Sequence, residues 1–90
     1  MPDPLPIEVD SSAASWWAGR GALLLDVRSP EERARGAIPG SRSIPVSDLR
    51  ARWTELPADR PVIVYCSAGS RSTRAAAFLR DQGLDAAALV

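Results

Sequence analysis

Histidine and lysine are both missing from this chain, and cysteine occurs once, at Cys66. Each absence removes a class of chemistry. Without an imidazole there is no Cys-His protease or acyltransferase, because the thiol lacks its usual side-chain base. Without lysine there is no lysine Schiff-base mechanism and no lysine nucleophile. One thiol and no imidazole leave a zinc site of the usual Cys/His type without ligands, and they exclude a dithiol redox cycle within the chain. A surplus of one charge is lacking too. Eleven basic residues, all arginine, balance eleven acidic ones, and both kinds are scattered, which argues against nucleic acid or an anionic membrane as a partner. No apolar run approaches membrane-spanning length. The opening Met1-Pro2-Asp3-Pro4 has neither the basic start nor the apolar stretch of a signal peptide. The expected location is therefore cytoplasmic, where an unpaired thiol persists.

What remains is a chain of 90 residues, 46% of them hydrophobic. That composition fits one globular domain, 1–90, around one core. Its organising stretch is Val62-Ile63-Val64-Tyr65-Cys66-Ser67-Ala68-Gly69-Ser70-Arg71-Ser72. Val62 to Tyr65, set off by Pro61, reads as a strand buried on both faces. From Ser72 onward the composition is helical. Ser67, Ala68, Gly69 and Ser70 between them are small enough to curl and turn their N–H groups inward. Closed by a helix N-terminus, such a loop is an anion cradle, and its field would favour the Cys66 thiolate. A lone cysteine at a strand end is also a common buried structural residue. Three features point to function instead: the strand-end position, the small polar loop, and Arg71 at Cys-x4-Arg spacing, able to close the cradle over an anion.

The rest of the chain alternates strand and helix signals. Leu5 to Val9 reads as a first strand. Asp10 or Ser11 caps a helix to about Ala18, with Ala14, Trp17 and Ala18 on its buried face and Trp16 off it. Ala22 to Val27 is the second strand. Asp26 at its end is expected either to orient Arg71 or to satisfy loop amides, and Arg28 stands beside it. Ser29-Pro30-Glu31-Glu32 carries an N-cap, a first-turn proline and a capping box, and Gly36 stops that short helix. Ser43-Ile44-Pro45 is a minimal strand, and Ser47 is expected to cap a helix bearing Leu49, Trp53 and Leu56. Ala75, Phe78, Leu79 and Gln82 line one side of the helix after the cysteine loop, which ends at Gly83, with Leu84 closing it. Ala86 to Val90 reads as a last strand. This order predicts an α/β fold, a mostly parallel sheet of about five short strands with helices on both faces.

Four stretches together resemble a rhodanese-like (sulfurtransferase) domain. They are Leu24-Leu25-Asp26-Val27-Arg28 with Glu31-Glu32 behind it, Gly36-Ala37-Ile38-Pro39-Gly40-Ser41, Val62 to Tyr65, and Cys66 to Ser72. Ala37 stands where the family commonly has His. Family members also run on through a Gly-Gly turn into a final Trp-containing helix. The sequence stops at Val90, so the resemblance implies that this helix is missing, with an uncovered apolar flank and lower stability than a longer form. It further implies transfer of sulfane sulfur from thiosulfate, or a similar small anionic donor, to a cyanide or thiol acceptor, including a thiol protein. The route would be a covalent Cys66 persulfide held by amides from Ser67 to Ser72, with Arg71 attracting the donor, Asp26 and Arg28 in support, and no metal or organic cofactor. A Cys-dependent phosphatase or arsenate reductase is the enzymatic rival. Its Cys-x5-Arg spacing makes a wider cradle, whereas the shorter loop here suits a single sulfur atom. A non-enzymatic binding or sulfur-carrier module is the rival from another class, and the intact Cys66 loop stands against a mere binding role.

Overall fold

Short apolar strands in this chain are each followed by a turn that opens a helix, so the strands lie side by side in one direction. The computed structural model describes residues 5–67 and 69–90. In order, β1 (Glu8–Val9), α1 (Ser11–Ala18), β2 (Leu23–Asp26), α2 (Pro30–Ala34), β3 (Arg42–Ser43) and α3 (Val46–Arg52) lead to a single 3₁₀ turn at Trp53–Glu55. Then come β4 (Val62–Tyr65), α4 (Ser70–Asp81) and β5 (Ala86–Leu89). The five strands form one sheet in the order β1-β5-β4-β2-β3, and every pairing is parallel.

Alternation along the strands builds two cores. Leu25, Val62, Val64, Ala86 and Ala88 face Leu49, Leu56, Ala75, Ala76 and Leu79 of the segments around α3 and α4. Ile63 and Ala87 point the other way and meet Leu5, Val9, Ala14 and Ala22 beside α1. Helices thus pack on both faces. Beside α1, the half-buried Leu24, Ile38 and Leu89 line a cleft of about 260 Å³. Trp17 packs against the second core, while Trp16 is 41% exposed and carries the Arg20 guanidinium 3.7 Å over its ring.

The local signals are met closely at several ends. Asp10 caps α1 by accepting from the Ala13 N–H at 2.8 Å. Ser29 and Glu32 close a complete capping box on α2. Gly83, at φ +93°, ends α4 with Gly83 N–H bonded to Arg80 C=O and Leu84 N–H to Leu79 C=O, a Schellman pair with Leu84 buried. Several expectations need correction. The helix expected to bear Leu49, Trp53 and Leu56 ends at Arg52, with Trp53 opening the 3₁₀ turn and Leu56 beyond it, and the third strand is Arg42–Ser43 rather than Ser43-Ile44-Pro45. The first strand is Glu8–Val9 rather than Leu5 to Val9, an edge strand paired with β5 over those two residues. Ser47 caps nothing: α3 begins after Pro45, with no side-chain cap, and Ser47 falls inside its first turn. Helix α4 starts at Ser70, two residues before Ser72. Gln82 is exposed, because it is the C-cap residue beyond the apolar stripe.

Strand order decides where a ligand can sit. From β2 the chain moves outward to β3, and from β4 it moves the opposite way to β5. The carboxyl ends of β2 and β4 therefore flank a topological switch point, the crevice where open α/β sheets bind ligands. Asp26 and Tyr65 are register partners there, and Cys66 is the next residue.

Candidate active site

Cys66 follows the end of β4, partly buried and packed against the core that α4 covers. Its sulfur accepts hydrogen bonds from the main-chain N–H of Gly69 at 3.0 Å and of Ser72 at 3.3 Å. Helix α4 explains this geometry. Its N-cap residue is Gly69, which offers no side-chain acceptor, so the first-turn N–H groups need one from elsewhere. The Cys66 sulfur takes that place, at the positive end of a helix of twelve residues. Gly69 supplies the turn with φ +86°, a conformation other side chains rarely adopt. Its carbonyl is held from the far side by the Ser72 and Thr73 hydroxyls at 2.9 and 3.0 Å and by the Thr73 N–H at 3.0 Å. Those three bonds fix the peptide orientation of the loop.

Ser67, Gly69, Ser70, Arg71 and Ser72 come together as the loop and first turn around Cys66. Ala68, named with them from the sequence, lies outside the described residues. Ser72 is fully buried and Ser70 is exposed. Arg71 is not oriented by Asp26. Its guanidinium makes a two-pronged pair with Glu32, at 2.7 Å to Oε1 and 2.8 Å to Oε2. The same carboxylate accepts the Ser67 hydroxyl at 2.9 Å and the Ser29 N–H at 2.9 Å. Arg71 foremost, then Ser29 and Ser67, hold Glu32 well below the ordinary carboxylate range. Glu32 in turn raises Arg71 further above its already high value, and the Cys66 sulfur adds to that shift.

Glu32, expected from the sequence to complete a capping box and to lie in the stretch behind Arg28, is a site residue as well. A carboxylate has about four acceptor positions, and a capping box uses one. That spare capacity, on a residue facing the sheet's carboxyl edge, was the available signal.

Asp26 does the other job open to it. It is fully buried and accepts from the Arg28 N–H, the Arg28 guanidinium, the Arg33 guanidinium and the Tyr65 hydroxyl. Burial pushes its carboxyl up, but the hydrogen bonds from Arg28 and Arg33 outweigh that, and the group sits below its usual range. Its partners reach on to segment 36–41. Arg28 donates to Gly36 C=O, Arg33 donates to Ser41, and the Tyr65 hydroxyl meets the Ile38 N–H and Ser41. Asp26 and Arg28 therefore brace the neighbouring loop of the crevice. Arg33 was not foreseen in this role.

The fold and the loop define a known class. The model of the rhodanese-like domain family matches residues 11–90, and the chain belongs to that family. A sulfurtransferase of Allochromatium vinosum is 40% identical over 78 residues, which are 84% of this chain and 73% of that protein. Thiosulfate sulfurtransferase GlpE of Ectopseudomonas mendocina is 41% identical over 63 residues, 70% of this chain and 58% of that protein. Among solved structures, a rhodanese-related protein of Thermoplasma volcanium superposes with a TM-score of 0.82 at 34% identity, covering 91% of this chain and 81% of that one. Among the described residues no helix is long and apolar enough to cross a membrane, and no cluster of potential metal ligands occurs.

Proposed function

We propose that this chain is a sulfurtransferase that moves sulfane sulfur from thiosulfate, or a similar small anionic donor, to a thiophilic acceptor through a Cys66 persulfide. The observation that carries the reading is the Cys66 sulfur receiving main-chain N–H groups from Gly69 and Ser72 at the start of α4. Such donors favour a charged sulfur without an imidazole. In the first step the Cys66 thiolate attacks the outer sulfur of thiosulfate. The donor's S–S bond breaks, and sulfite leaves with the electron pair. In the second step cyanide or a thiolate attacks the outer sulfur of the Cys66 persulfide, and the pair from that S–S bond returns to Cys66 as thiolate. The scheme is a ping-pong cycle. The amides stabilise charge on sulfur as an oxyanion hole does on oxygen, and the steps themselves need no metal or organic cofactor. A reducing compartment such as the cytoplasm suits a lone reactive thiol.

Mass spectrometry after incubation with thiosulfate tests the reading: Cys66 should gain one sulfur atom, and Cys66→Ser should gain none and lose thiosulfate:cyanide turnover. Turnover retained by Cys66→Ser would reject the mechanism. Arg71→Ala should impair donor use more than it lowers the melting temperature, and the reverse order would confine Arg71 to holding the loop in shape.

A further inference from the structure

A second feature opens along the face of α4 that starts at Arg71. Between α3 and α4 lies a groove of about 220 Å³ with Leu49, Ala75 and Phe78 as its floor and Arg50, Arg71 and Arg74 around its rim. Arg71, then Arg74 and Ala75, then Phe78 follow one another at helical spacing, so a single stripe of α4 runs from the first turn beside Cys66 down the groove. Arg71 is already paired with Glu32. Among the described residues neither Arg50 nor Arg74 has a carboxylate at ion-pair distance, and Arg50 lies 5.3 Å over the Phe78 ring. The groove thus combines two uncompensated guanidiniums with an apolar floor. Thiosulfate has no carbon to cover such a floor. A short organic chain bearing two carboxylates would meet both features.

We propose that this groove is the acceptor subsite and selects small thiols that carry carboxylates. The inference rests on the persulfide reading above. The bound thiolate attacks the outer sulfur of the Cys66 persulfide. A new S–S bond forms on the acceptor, the bond to Cys66 breaks, and Cys66 keeps the electron pair. The products are the acceptor's persulfide and the Cys66 thiolate, with no outside oxidant or reductant.

The test uses mercaptosuccinate, a thiol with two carboxylates, and neutral 2-mercaptoethanol, each at equal thiolate concentration. Protein persulfidated with thiosulfate is mixed with either thiol, and loss of the outer sulfur is followed by intact mass. Arg50 and Arg74 are exposed, so the double variant Arg50→Gln/Arg74→Gln should fold normally. It should lower the ratio of the mercaptosuccinate rate to the mercaptoethanol rate by roughly five- to ten-fold, the effect of two exposed ion pairs. Comparing ratios cancels the intrinsic reactivity of the thiols. An unchanged ratio would overturn the subsite. A second arm titrates unmodified protein with the S-methyl ether of mercaptosuccinate and follows the amide resonances of Arg74, Ala75 and Phe78. Saturable shifts that the double variant loses support the groove, and their absence in the wild-type protein overturns it. Should Cys66 acquire no sulfur at all, the sulfur-transfer reading fails, and this second arm still decides whether the groove binds organic dianions.

Discussion

Asp26 and Glu32 stand at the same rim of the sheet and each holds arginine, yet their surroundings differ. Asp26 is sealed from solvent and shares two guanidiniums and a tyrosine hydroxyl, all directed at segment 36–41. The Glu32 side chain is 28% exposed, and its partners Arg71 and Ser67 belong to the cysteine loop. A buried charge must be fully compensated, so Asp26 ties its neighbours into one rigid unit. A half-open pair is screened by water and contributes far less to stability. What it supplies is direction: Arg71 is held in one place beside the sulfur while the loop stays accessible. The same chemical pairing serves as a brace in one region and as a positioning contact in the other, and depth of burial makes the difference.

Substitution should separate the two. Asp26→Ala leaves two partly buried guanidiniums without their carboxylate and should cost about 3 kcal/mol, a fall in melting temperature of roughly 15 °C for a small domain. A drop of only a few degrees would reduce this network to the standing of a surface pair. Glu32→Gln comes next, with its effect on rate: sulfur transfer should fall roughly ten-fold through misplacement of the loop, while the melting temperature moves by only a few degrees. Destabilisation equal to that of Asp26→Ala would erase the distinction between brace and positioning contact.

Acid should act on both carboxylates in the same direction. Each has a folded pKa below its unfolded value, so each contributes stability that is full above roughly pH 4 to 5 and is lost as the pH falls through the lower folded value. The melting temperature should be level from neutral pH to about 5 and decline below about 4, and Asp26→Asn should flatten part of that decline. A level profile through the acid range would contradict the paired arrangement. The smallest effect belongs to Ser67→Ala, which removes one exposed hydrogen bond to Glu32 and should slow transfer by less than roughly three-fold. A ten-fold loss would shift the positioning role from Arg71 to the serine.

Much of the fold is legible because its signals are short-range. A capping box needs residues three apart, as Ser29 and Glu32 are, and a Schellman end needs only Gly83 and its neighbours. The short apolar run Val62 to Tyr65, set off by Pro61, declares a strand buried on both faces without knowledge of its partners. Cys66, the small loop and Arg71 lie within one continuous stretch, so the cradle was readable in outline. The missed features lie far apart in the chain. Glu32 and Arg71 are 39 residues apart, as are Asp26 and Tyr65. Ser47 looked like a cap because its residue type is right, but Pro45 already set the entry to α3.

The sequence by itself determined the alternation of strands and helices, the starts of α1 and α2, the end of α4 and the single cysteine in its small-residue loop. All of these follow from local backbone preferences and side-chain spacing. Only the tertiary structure decided which carboxylate meets which arginine, which helix face lines the groove between α3 and α4, and which loop Asp26 braces. Those pairings depend on the strand order that brings the ends of β2 and β4 to one crevice, and a through-space contact between distant segments leaves no periodic trace along the chain.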